Sequence, residues 1–215
     1  MFVLGLAAVG RFASARVAVA SGLAAWLAVT AGFVAASHAA GARVQAILAD
    51  AFPTARTLDV ALTPLPANPV CHEVLAVQTT TDAYVVRRGF HSLAPDWIPA
   101  NACARFYPLR GDRTAPLDPV AQPTTDEIAW SGELTMPVDR LAGLATEYCA
   151  VAALLQFARA PWATPADDGW IVGDLRYDTE PGRGFAETYV GPDHDECPRL
   201  LAPWLPPRAD LLNRR

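Results

Sequence analysis

The side chains that could do chemistry are few. Histidine occurs at His38, His72, His91 and His194, and no pair has the HExxH spacing that sets two imidazoles on one helical face around zinc. His72-Glu73 falls on a predicted strand and His91 on the strand returning beside it, so these groups can become neighbours. Successive strand residues point to opposite faces, however, so His72 and Glu73 cannot both line one simple site, and both histidines are read as polar hairpin residues. Asp193-His194-Asp195-Glu196-Cys197 is the densest set of potential ligands. Its oxygens could take up a hard cation, but there is no EF-hand pattern, and a solvated acidic loop is the reading preferred. Asp174 and Arg176 stand two residues apart, which on a strand puts both on one face. They can pair with each other, the favoured reading, or hold an anionic ligand together with Arg87 or Arg88. GxSxG elbows, phosphate-cradling glycine loops and dinucleotide fingerprints are absent from the sequence. No catalytic residue and no metal ligand set is assigned.

Elements must position these groups, and composition says what kind. Hydrophobic residues make up 52% of the 215 residues and charged ones 18%, which excludes wholesale disorder and leaves room for one core plus a membrane segment. The first 48 residues hold no acid, and their only charges are Arg11, Arg16 and Arg43. All 22 acidic residues lie beyond them, so the remainder is acidic and lacks the basic surface that nucleic acid demands. All 17 basic residues are Arg, which is read with the abundant Ala as compositional bias.

Val17–Ala36 is uncharged throughout, and a run of about 20 residues spans the hydrocarbon of a bilayer as a helix. Spanning is ranked ahead of two alternatives, a buried core helix and a cleaved signal peptide with Arg11 and Arg16 before it and Ser37-His38-Ala39 after it. Helical spacing continues through Val44, Ile47, Leu48 and Phe52 until Pro53. The apolar Phe2–Val9 is too short to cross, and is read as an interfacial segment or the end of a preceding spanning helix. The expected organisation is therefore an anchor over residues 1–52 and an α+β domain over 53–215, built from β-hairpins packed with one amphipathic helix.

Within the domain, Thr57–Leu62 is a candidate strand and Thr63–Pro69 a rigid extended connector. Val70–Gln78 and Ala83–His91 form a hairpin around Thr79–Asp82, and Pro95–Pro123 is irregular. Apolar spacing from Leu141 to Leu155 predicts one helix over about Val138–Phe157, with Pro137 at its first turn. A second hairpin turns at Pro165–Gly169 into a strand over Trp170–Tyr177. A short strand at Phe185–Val190 and a Pro-rich C-terminal arm follow.

TPLPANP (63–69), YVVRRGFHS (84–92), LLQFARAPWA (154–163) and DGWIVGDLRYD (168–178), in this order after a spanning helix, resemble the C-terminal part of the bacterial LexA-regulated, membrane-bound metal-dependent hydrolases. The resemblance runs from about Val17 to Tyr177. In that family the metal site is placed in N-terminal membrane helices, around a His-Arg-Gly and Thr-His-Ser type sequence that does not occur here. The resemblance thus implies an inner-membrane accessory or remnant domain, catalytically silent by itself, with no cofactor in this chain and a divalent metal only in full-length members. Its alternatives are an incomplete chain of an active hydrolase and an anchored module that binds a membrane or periplasmic protein.

Arg11 and Arg16 before the run, against Arg43 alone close behind it, place the N-terminus in the cytoplasm and the domain outside. Cys71, Cys103, Cys149 and Cys197 all belong to that domain and lack the CxxC pairs of a zinc ribbon. Three disulfide connectivities are open. Cys71 with Cys103 and Cys149 with Cys197 cost least closure entropy, while four buried free thiols in a cytoplasmic domain stand at nearly equal weight.

Overall fold

The computed structural model describes residues 15–81, 83–106, 117–177, 186–193 and 196–197. Phe2–Val9, the Pro-rich arm, His194 and Asp195 lie outside the described residues. The chain is α+β, with one long apolar helix followed by antiparallel sheets of four and three strands and short helices.

Helix α1 runs unbroken over Ala15–Ala51. Its N-terminal part is long and apolar enough to cross a membrane, and none of that stretch is buried within the protein. Ala40, Val44 and Leu48, four residues apart, are its buried residues, because that spacing keeps one face on the domain. The helix ends where predicted, the Phe52 N–H still reaching the Leu48 carbonyl (3.0 Å) before Pro53.

Strands β1 (Arg56–Leu65), β2 (Asn68–Thr79), β3 (Ala83–Ser92) and β4 (Ile128–Pro137) pair in that order. The Thr63–Pro69 run is not a free connector. Thr63 to Leu65 continues β1, Pro66-Ala67 makes the hairpin tip with Ala67 at φ 57°, and Asn68 opens β2. Its prolines are tolerated because Pro64 lies on an edge strand and Pro69 at the start of β2. The predicted β2–β3 hairpin is present, with His72 facing His91. Strand β4 was not anticipated. It follows the irregular stretch and carries a register shift opposite Arg88/Gly89 that breaks its alternation. Gly89 is required there, since a Cβ would sit 2.6 Å from the Ala129 carbonyl oxygen.

Within the Pro95–Pro123 stretch, helix α2 (Ala100–Cys103) and a 3₁₀ turn (Ala104–Phe106) interrupt the irregular chain. The single helix predicted over Val138–Phe157 is two, α3 (Val138–Glu147) and α4 (Cys149–Leu155). Tyr148 between them is extended (φ −119°, ψ 120°). Its N–H completes α3 on Leu144 (2.8 Å) and its carbonyl starts α4 by accepting from Ala152 (3.2 Å), so the apolar spacing survives a break that no Pro or Gly announces. Strands β5 (Pro161–Ala166), β6 (Gly169–Asp174) and β7 (Glu187–Val190) form the second sheet. The predicted hairpin is present, but β6 ends at Asp174, three residues before the expected Tyr177.

The main core joins Leu75, Val77, Val86, Leu134 and Met136 of the first sheet to Leu141, Leu144, Val151, Leu155, Trp162 and Val172. The opposite face carries Val74 and Ala76 beneath Val44 and Leu48 of α1, with Phe52, Val60, Leu62 and Trp130 around them. Cover on both faces explains why β2 and β3 are buried almost end to end instead of alternating. The disulfides are Cys71–Cys103 and Cys149–Cys197, with Cα atoms 5.6 and 5.5 Å apart. This is the pairing of least closure entropy.

Leu48 is fully buried between α1 and the sheet. Leu48→Ala is expected to destabilise the full chain by about 2–5 kcal/mol, read as a lower thermal midpoint in mild detergent. The exposed Leu27→Ala should leave that midpoint nearly unchanged.

Candidate functional site

Asp174 closes β6 and is fully buried. Arg176 lies beyond the strand end, in the turn that follows, so their meeting comes from that turn and not from a shared strand face. Arg176 donates to Asp174 through its backbone N–H (3.1 Å) and through guanidinium Nε (2.9 Å) and Nη2 (2.7 Å). The Arg159 and Ala160 N–H groups complete the shell at 3.1 and 3.3 Å. The Arg176 head also donates to the Phe157 carbonyl (2.9 Å) and stacks near Phe157 and Tyr177. A buried carboxylate with this many donors serves as a fold element.

Arg87 and Arg88 stand elsewhere, on adjacent positions of β3 and therefore on opposite faces of the four-stranded sheet. Arg87 lies 3.6 Å over the Phe52 ring, pairs with Glu133 (2.8 Å) and donates to Gln78. Burial lowers its pKa, an effect Glu133 opposes. Arg88 faces the other way and binds Glu73 at 2.6 and 2.8 Å, both side chains nearly inaccessible. The four residues proposed for one anion site thus lie in three places, the Asp174–Arg176 pair and the two opposite faces of the first sheet, each engaged by protein partners. Arg159 joins the Asp174 shell through its backbone N–H, while its guanidinium grips Asp59 of edge strand β1 in a fork at 2.6 and 2.8 Å. Sequence offers no signal for this pairing across 100 positions.

His72 and His91 face each other across β2 and β3, both fully buried. They are core groups, unlike the surface polar residues expected of a hairpin. His91 Nδ1 lies 2.8 Å from the Glu127 carbonyl, which can only accept, so Nδ1 carries the hydrogen. Its Nε2, and both ring nitrogens of His72, meet no partner in hydrogen-bonding geometry among the described residues. Burial lowers the pKa of each. For His72 the neighbouring His91 adds to this and the Val70 backbone partly opposes it. For His91 the Glu127 carbonyl and carboxylate oppose it and Arg43 adds to it. Two imidazoles fall short of a three-ligand zinc set, and among the described residues no group of three His, Cys, Asp or Glu is placed to hold a metal.

A cleft of about 630 Å³ opens between α1 and β1. Phe33, Val34 and Leu62 line it with apolar surface, and His38, Gln45 and Arg159 add polar groups. It lies where α1 passes from its bare apolar part to its packed part, so His38 belongs to a cleft wall as well as to the end of the apolar run.

No family model, no curated protein and no solved structure matches this chain.

The histidine pair fixes a pH dependence. Both folded pKa values lie below the ordinary 6.5, so the unfolded chain binds more protons once the pH falls below that value, and stability rises with pH through the window. The contribution is full above about pH 6.5 and is lost as pH falls toward the folded values. Thermal midpoints between pH 7.5 and 5 should therefore drop on acidification, and His72→Leu/His91→Leu should flatten most of the slope.

Proposed function

We propose that this chain is a single-pass bacterial inner-membrane protein whose α1 holds a disulfide-bonded α+β domain against the extracytoplasmic surface, where it acts as an accessory domain, catalytically silent by itself. One observation carries this reading: α1 is continuous from a stretch with bare apolar side chains, such as Val19, Leu23 and Trp26, to a stretch whose Val44 and Leu48 are fully buried under the sheet. Water is a poor solvent for the first part, and the fold supplies it no cover.

Two further features agree. Paired cysteines are the usual state of an oxidising compartment, which matches the side assigned by Arg11 and Arg16. Trp97, 82% exposed, stands on the loop whose Leu93 carbonyl accepts from Arg43 of α1 (2.8 Å), near the end of the domain where a bilayer would lie and where indole rings are favoured. The resemblance to membrane-bound metal-dependent hydrolases supplies a class of partner, an integral membrane protein that carries the metal site. The buried Arg87, Arg88 and Asp174 are bound to groups of the domain itself, which favours a supporting role over an independent anion site.

The chain is expected to stay in the pellet when membranes are washed with alkaline carbonate, and a protease added to intact spheroplasts should reach the domain. Release of a soluble form beginning near Ala40 would instead identify the apolar run as a cleaved signal. Digestion only after lysis would put the domain in the cytoplasm.

A further inference from the structure

We propose that the cleft between α1 and β1 binds one phospholipid of the surrounding bilayer, its headgroup at His38, Gln45 and Arg159 and the upper part of an acyl chain along Phe33 and Val34. The proposal rests on the anchored reading of α1. Its first support is the order of groups along the cleft. Phe33 and Val34 belong to the uncharged run that would lie in hydrocarbon, and the polar His38 and Gln45 come later on the same helix. From Val34 to Gln45 α1 rises about 16 Å, enough to pass from the outer hydrocarbon through the headgroup layer, which is about 5–8 Å deep on each side. The cleft thus changes from apolar to polar in the same direction and over the same depth as a phospholipid.

Charge narrows the choice of headgroup. Arg159 reaches the cleft already paired with Asp59, and the two side chains are 30% and 27% exposed. Paired in this way, Arg159 brings no net positive charge to the cleft, which favours a zwitterionic headgroup over a free anion. The volume, about 630 Å³, suits a headgroup and the start of one chain, the remainder staying in the bilayer.

The full chain, reconstituted in nanodiscs of phosphatidylethanolamine with brominated chains, reports its own insertion through quenching of Trp26, read as the difference from Trp26→Phe because the chain has six tryptophans. The same protein is then exchanged into phosphate-free detergent and its bound phosphorus measured. About one phosphorus per chain is expected, falling at least five-fold in Ala42→Phe, which fills the cleft, and in His38→Glu, which sets a negative charge at the phosphate. Both positions are exposed on α1, so thermal midpoints should hold, and if one variant fails to fold the other decides. Background phosphorus with Trp26 quenched would overturn the lipid site and leave the anchor standing. Phosphorus that neither variant lowers would place the lipid elsewhere and overturn it too. An unquenched Trp26 would remove the anchored reading, and the lipid site with it.

Discussion

The first sheet has no face that water can be allowed to touch. Strands β2 and β3 are buried almost along their whole length, and each face therefore needs a lid. The second sheet with α3 and α4 covers one side. On the other, the cover comes from the last turns of α1, where Val44 and Leu48 are fully buried. Burying a side chain of this size contributes about 1.5–3 kcal/mol, comparable with the margin by which a domain is folded. The helix that is long and apolar enough to cross a membrane is thus the same element that completes the core.

Charges in the sheet follow from the same constraint. Arg87 and Arg88, pointing to opposite faces of a doubly covered strand, must each find an acid, and they do so in Glu133 and Glu73. A buried pair of this kind contributes little net stability, but losing one member leaves an uncompensated charge. Arg159 plays a bridging role. Its guanidinium holds Asp59 on the edge of the first sheet, while its backbone joins the Asp174 shell in the second. The same edge forms a wall of the cleft, which makes the junction of the two sheets part of the surface facing α1.

Legibility in the sequence followed the range of the interactions. The apolar run, the helix end at Pro53, both hairpins and the cysteine pairing were readable because each is governed by local periodicity, by proline, or by loop-closure entropy. The break at Tyr148 was not, since both helical pieces keep their apolar spacing. Strand β4 was hidden by a bulge, and Thr63–Pro69 looked like a connector because its prolines are compatible with either a linker or an edge strand. For the candidate residues, Asp174 with Arg176 was readable as a near neighbour in the chain. The partners of Arg87, the Arg159–Asp59 fork and the depth at which His72 and His91 are buried depend on how sheets stack, which no local spacing encodes.

On the proposed reading, α1 is one uninterrupted helix, lipid-exposed in its first part and part of the core in its last. Spin labels placed one at a time from Val17 to Phe52, with the full chain in nanodiscs, measure it directly through collisions with oxygen and with a water-soluble nickel reagent. Oxygen access without nickel access is expected through Val17–Ala36, followed by a 3.6-residue period in which positions 40, 44 and 48 are closed to both. Nickel access through Val17–Ala36, or loss of helical period between 36 and 44, would contradict the account.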